Sequence, residues 1–200
     1  MITTDSHYII GRKRFVRVTT LLDRVGHSDF SAIPNRDYFM SRGKAVHELA
    51  EHIERGIDAQ YTYDAETEKY RPAILRFLRE TGFKAAKTGI EKFVKATWAQ
   101  LGFPDVAREE VGVAGTLDRW GAAQGRPWLV DYKGHSVPPS TAAQTAFYAI
   151  MDSHTDFSAF DRYGVSFRPD GTYRMSLRYP NSDFHLALSL AEKYLKGETK

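Results

Sequence analysis

Cysteine is absent from the 200 residues of this chain, which removes disulfides, thiolate zinc sites and iron–sulfur clusters together. No apolar run approaches the ~20 residues of a membrane-spanning helix. The opening Met1-Ile-Thr-Thr-Asp-Ser-His7 lacks the basic and apolar blocks of a secretory leader, so a cytoplasmic setting without a membrane partner is expected. Internal repeats and low-complexity tracts are missing. So is any glycine-rich loop that would cradle a nucleotide or a small phosphorylated substrate. Neither sign of charge is in large excess: 28 Lys and Arg against 25 Asp and Glu leave +3. That surplus permits a nucleic-acid partner without demanding one.

The apolar share of 42% and charged share of 26% are those of a globular protein, and the length suits one domain with a substantial core. Aromatic residues at 13%, eleven tyrosines among them, would offer stacking surfaces to unpaired bases. Basic residues cluster at Arg12-Lys13-Arg14 and recur at Arg162, Arg168, Arg174 and Arg178. Ordinary solvated strand faces account for them equally well.

Residues 8–18 alternate around Gly11 as a β-hairpin, and a short helix follows near Thr20–Arg24. His27 to Asn35 reads as loop, with Pro34 stopping any helix. Phe39, Val46, Leu49, Ala50 and Ile53 make one stripe of a helix over Arg36–Arg55, which Gly56 ends. A loop over 57–65 and a second helix over Thr67–Arg79 come next, and Ile90 to Ala96 leans to strand. Val111–Asp118 and Trp128–Lys133 are strands around a turn at Gln124-Gly125 and should pair as an antiparallel hairpin. Ser140 caps a helix to about Ser153. Arg162–Phe167 and Thr172–Tyr179 flank the turn signal Pro169-Asp170-Gly171, and Asn181 or Ser182 starts a last helix through Leu195. The expected fold is mixed α+β, a central mixed β-sheet flanked by helices. It forms a single domain: N-terminal hairpin and helices over 1–85, catalytic core over about 86–155, C-terminal hairpin and helix over 156–200.

The chemistry concentrates between Gly115 and Tyr148. Strand alternation projects Asp131 and Lys133 together and Tyr132 the other way, while Gly112, Ala114, Thr116 and Asp118 share a face. If the hairpin closes at its short turn, Asp118 and Asp131 converge at one end. Two carboxylates so placed repel unless a cation lies between them, and hard oxygen donors select Mg²⁺ or Mn²⁺. An ammonium at Lys133 would position an attacking water and stabilise charge on a phosphate. By itself, an Asp-X-Lys is more often a surface ion pair; here the apolar Leu129-Val130 makes charges at the strand end costly. Gln144 and Tyr148, four apart on one helix face, could orient a lysine or a phosphate or form a polar flank. His47 borders the apolar stripe of its helix, where a lone histidine is more often a core residue than a ligand. His52 reads as surface.

Taken in order, Arg42-Gly43…Val46-His47, Glu91, Gly115-Thr-Leu-Asp118, Asp131-Tyr-Lys133 and Gln144…Tyr148 resemble the PD-(D/E)XK nuclease superfamily, most of all its RecB-like branch with phage exonucleases. The likeness runs from about residue 36 to 150, and Val18-Thr-Thr-Leu-Leu22 resembles the lead-in of those phage proteins. It implies a restriction-endonuclease-like core. It also implies His47, Asp118, Asp131 and the Tyr132 carbonyl as metal ligands, Lys133 as catalytic lysine, and Gln144 and Tyr148 in support. Glu91 matches an upstream acidic position for which Glu109 and Glu110 compete. Gly134-His135 departs from the usual Thr/Ser-Gly after the lysine.

The function expected from this resemblance is a Mg²⁺- or Mn²⁺-dependent deoxyribonuclease, preferentially an exonuclease, in phage or bacterial DNA recombination, repair or processing. Arg42, Arg12, Lys13 and Arg14 would contact sequence-independent DNA, with a recombination protein or a second copy as further partner. The competing expectations are a non-catalytic nucleic-acid-binding accessory protein on the same fold and a structure-selective endonuclease.

Overall fold

The computed structural model describes residues 1–28, 35–153 and 156–198. Among these residues eight strands form one sheet: β1 (Ile2–Thr3), β2 (His7–Ile10), β3 (Lys13–Arg17), β4 (Lys84–Thr97), β5 (Glu110–Ala123), β6 (Arg126–Lys133), β7 (Asp161–Phe167) and β8 (Tyr173–Met175). The order is β1-β2-β3-β5-β6-β7-β8, with β4 paired to β5 outside that path. The β3–β5 and β6–β7 pairs are parallel and the others antiparallel, so the sheet is mixed. Among the described residues six α-helices accompany it: α1 (Val18–Arg24), α2 (Arg36–Arg55), α3 (Ala65–Glu68), α4 (Arg71–Thr81), α5 (Ser140–Ser153) and α6 (Ser182–Leu195). None is long and apolar enough to cross a membrane.

The sheet lies between two helical layers. Val113, Leu117 and Leu129 pack with α1, α5 and α6 through Leu21, Phe147, Phe184 and Tyr194. On the other side Trp128, Val130 and Tyr132 pack with α2 and α4 through Val46, Leu49, Ile74 and Phe77. The even residues of β6 therefore face α2 and α4, and the odd ones face α5, as its alternation predicts.

The β5–β6 hairpin turns in two residues, Gln124 at φ 53° and Gly125 at φ 75°, between the paired Ala123 and Arg126. Two left-handed residues in succession make a turn whose twist matches that of the strands. This turn sets the register that brings Arg119 opposite Val130. Gly56 and Gly82, both at φ 68°, end α2 and α4 as left-handed caps.

Several elements differ from expectation, each for a local reason. The helix expected over Thr67–Arg79 is two helices, because Pro72 has no amide proton for the Glu68 carbonyl and its ring collides with it. Asp64 caps the first piece by accepting the Thr67 amide at 2.9 Å. The strand expected at Ile90–Ala96 extends over all of β4 and is irregular between Ala85 and Ile90. The strand expected over Thr172–Tyr179 stops at Met175. The loop expected from His27 to Asn35, with Pro34, falls largely outside the described residues. His52 is buried, stacked on Tyr61 with ring centroids 3.7 Å apart and bonded to the Tyr63 hydroxyl at 2.5 Å.

Phe77 is fully buried, and its ring meets those of Phe83, Tyr132, Phe167 and Tyr173. Phe77→Ala should lower unfolding free energy by about 3–5 kcal/mol, measured by urea titration of the two proteins side by side.

Candidate active site

Strands β3 and β6 share one edge of β5, because β4 occupies the other. β3 pairs with it as far as Ala114, and β6 pairs with it from Arg119 onward. Between them, Gly115 to Asp118 form the crotch of a fork. There the Asp118 carboxylate, through Oδ2, accepts the Tyr132 amide at 2.7 Å. Gly115 lies under Tyr148 of α5: an added Cβ would stand 2.6 Å from the ring and 3.2 Å from its hydroxyl. Gly115 thus faces α5, whereas Arg119, four residues on, bonds to α2. Strict alternation would put both on one face. The alternation therefore breaks between Gly115 and Arg119, beside Asp118. On the partner strand the same place is marked by Glu91, at φ 50°, a conformation that costs a non-glycine residue about 1–3 kcal/mol.

His47 reaches this end from α2. Its Nε2 donates to the Tyr132 carbonyl at 2.8 Å, which leaves the Nδ1 lone pair aimed at acid: Glu91 Oε1 at 3.7 Å and Asp118 Oδ1 at 3.8 Å. One ligand atom each from His47, Glu91 and Asp118 lie within 4.8 Å of one another, a spacing a single cation could bridge. Glu109 and Glu110 do not compete: Glu109 pairs with Arg14, and Glu110 pairs with His7 at 3.1 Å at the far end of β5. On the α5 face, Lys133 Nζ lies 2.5 Å from Asp131 Oδ2 and 3.5 Å from Gln144 Oε1. Gln144 Nε2 donates to the Tyr148 hydroxyl at 3.0 Å.

Asp131 is the anomaly. It is 1% exposed, and despite the nearness of Lys133 neither carboxylate oxygen has a partner with hydrogen-bond geometry. A buried carboxylate so poorly satisfied is costly, and a hard cation would complete it. Burial, reinforced by the charge of Asp131, pushes the Asp118 carboxyl up to about 6. Burial alone would lower His47 and Lys133. Asp118 and Glu91 outweigh it at His47, and Asp131 and Asp118 outweigh it at Lys133, so both bases are raised. The arrangement holds excess negative charge that a positive ion would relieve.

The sequence pattern of the PD-(D/E)XK nuclease superfamily matches residues 23–173. The chain belongs to this superfamily. The structure of a "Putative exonuclease" from Eubacterium rectale superposes with a TM-score of 0.55 at 11% identity, covering 93% of this chain and 83% of that one. An alkaline exonuclease from Laribacter hongkongensis aligns over 92% of this chain and 89% of its own, at 14% identity and a TM-score of 0.32. No curated protein sequence matches. The first superposition supports the PD-(D/E)XK fold, a mixed sheet between helices.

Two residues of this superfamily member escape a motif-based reading. Arg119 is 0% exposed and donates to Glu91 Oε1 at 2.7 Å, the Asp118 carbonyl at 2.7 Å and the His47 carbonyl at 3.2 Å. Glu54 pairs with Arg119 and accepts the Tyr132 hydroxyl at 2.9 Å. Glu54 follows His47 by two helical turns, and that spacing was the available signal. Arg119 offered none, since a charge beside an acid in a strand reads as surface.

Other predicted contacts are engaged elsewhere. Arg42 bonds to Asp64 at 3.2 Å and Thr67 at 2.9 Å, while Arg12 and Lys13 are exposed at the β2–β3 turn. Gly134 lies against Gly43 of α2: a Cβ at Gly134 would stand 3.3 Å from the Gly43 Cα, and one at Gly43 would meet nothing. His135 then lies beside Phe39, ring centroids 5.9 Å apart.

Because the folded-state pKa of Asp118 is raised to about 6, its ionisation destabilises the ion-free fold above that pH and costs nothing below the unfolded value near 4. Asp118→Asn should therefore raise the melting temperature in EDTA at pH 7.5. That gain should shrink as pH falls from 6 to 4, read by scanning calorimetry.

Proposed function

We propose that this protein is a Mg²⁺- or Mn²⁺-dependent deoxyribonuclease and preferentially an exonuclease. The observation that carries the reading is the buried Asp131 carboxylate, which shares one end of the sheet with Asp118, pairs with Lys133 through Oδ2 and leaves Oδ1 without a partner. His47, Glu91 and Asp118, whose donor atoms lie within 4.8 Å of one another, would hold the ion, with Asp131 and the Tyr132 carbonyl as further ligands. A bound ion would supply an acidified water and neutralise charge on the scissile phosphate.

The chain's own residues do the rest. Lys133 is charged at neutral pH, since its base is raised, and it faces the phosphate as a hydrogen-bond donor. Gln144 limits the lysine's freedom by accepting from Nζ while its amide nitrogen is tied to Tyr148. His47 is fixed in one tautomer by the Tyr132 carbonyl. Tyr38, Phe39 and Met40, exposed at the start of α2 beside His135, offer stacking surface to unpaired bases. Exposed Arg12 and Lys13 suit backbone phosphates, which carry no sequence information. Membership of the superfamily and the fold of the Eubacterium rectale protein support the reading, as does the donor chemistry.

Purified protein with Mn²⁺ should release nucleotides from linear DNA and leave closed circular DNA intact. Equal cutting of both forms would make it an endonuclease, and salt-sensitive binding without cleavage would make it an accessory protein. Lys133→Ala should reduce the rate about 10²–10³-fold with little loss of Mn²⁺ binding. Asp131→Asn should weaken both, followed by gel-based cleavage and by calorimetric titration of the ion.

A further inference from the structure

Gly164 on β7 stands opposite Asp131 in the parallel β6–β7 register. Paired positions share a face, and neighbouring strands lie about 4.8 Å apart, so a side chain at Gly164 would project beside the Asp131 carboxylate. That volume is filled from another part of the chain. A Cβ at Gly164 would overlap Val137 Cγ1 and stand 2.8 Å from the Tyr179 hydroxyl and 3.2 Å from the Thr141 methyl. The glycine makes room, and the Val137 methyl and the Tyr179 hydroxyl share it; the hydroxyl is the polar group among them.

Tyr179 arrives there because regular pairing ends at Met175 while the chain stays against β7. The Ser176 amide donates to the Gly164 carbonyl at 2.9 Å, and the Tyr179 amide donates to the Arg162 carbonyl at 3.0 Å. Ser176 Oγ accepts the Gly164 amide at 3.0 Å and lies beside the Tyr179 side chain. A serine that accepts from an amide retains its own proton for Tyr179 Oη, which frees the phenol proton to point onward. A phenol keeps its proton on oxygen at neutral pH.

We propose that Tyr179 is a further catalytic residue, its hydroxyl oriented by Ser176 to donate a hydrogen bond to a non-bridging oxygen of the scissile phosphate. This rests on the nuclease reading above, yet Tyr179 lies beyond the matched segment, which ends at residue 173. It closes the β7 side of the site, while Gln144 and Tyr148 close the α5 side. In the hydrolysis, water oxygen joins phosphorus, the ester bond to the leaving oxygen breaks, and that oxygen gains a proton. Tyr179 forms no covalent bond; its hydrogen bond offsets the charge building on the non-bridging oxygen.

The experiment compares wild-type protein, Tyr179→Phe and Ser176→Ala in single-turnover cleavage of linear DNA at saturating Mn²⁺. Tyr179→Phe keeps the ring that fills the space at Gly164 and should slow cleavage about tenfold or more. Its melting temperature, Mn²⁺ binding and DNA affinity in non-cleaving Ca²⁺ should stay within twofold of wild type. Ser176→Ala should slow cleavage in the same direction by less. A Tyr179→Phe protein that cleaves at the wild-type rate, or slows only as much as its DNA affinity falls, overturns the proposal. Wild-type protein that cleaves no DNA overturns the nuclease reading itself and this proposal with it, an outcome distinct from a silent Tyr179→Phe.

Discussion

Negative charge gathered at a buried sheet end is the constraint to which the rest of the structure answers. Glu91, Asp118 and Asp131 come from three strands, and each raises the cost of ionising another. The surrounding cations are apportioned so that none cancels the charge completely. Arg119 takes Glu91 but is itself shared with Glu54. Lys133 takes one side of Asp131 without satisfying it. His47 offers a lone pair toward Glu91 and Asp118, because its proton is committed to the Tyr132 carbonyl. What remains is a shortfall of positive charge around two buried carboxylates.

Arg119 shows how such a site is kept in shape. A fully buried guanidinium with five donors in a rigid plane ties together β4, β5 and α2 through Glu91, Asp118 and His47. Glu54 compensates its charge from the helix that also carries His47. The strained backbone at Glu91 is held in place by these contacts. The helix, the kinked strand and the forked strand are thus one unit, and the acids need not be held apart by the ion alone.

Much of this was legible in the residues. Gln124-Gly125 demands a two-residue turn, and once that turn is granted Asp118 must approach Asp131. The stripe of α2 placed Val46, Leu49 and Ile53 in the core and His47 at its border. Glu91 could be chosen over Glu109 and Glu110 only in three dimensions, because the distinction rests on which end of β5 each acid meets. The break in alternation before Arg119 was not legible, since a kink shared by two strands leaves no mark on the pattern of either. Pro72 marked the break between α3 and α4, but its effect was outweighed by the apolar stripe around it. Tyr179 was hidden most deeply: it looks like the end of a strand, and only the absence of a side chain at Gly164 gives it a place.

The fork in β5 has an evolutionary side. β3 and β6 hang from one strand without touching each other's hydrogen bonds. The N-terminal meander β1–β3 is attached by its own ladder, by the His7–Glu110 contact and by the Tyr8 ring against Phe93. None of these contacts is made to Glu91, Asp118 or Asp131, so insertions or deletions in the meander's turns would leave the hydrogen bonds of the acids in place. A lineage could therefore remodel the approach to the site as a modular accessory while the carboxylates beneath stayed fixed.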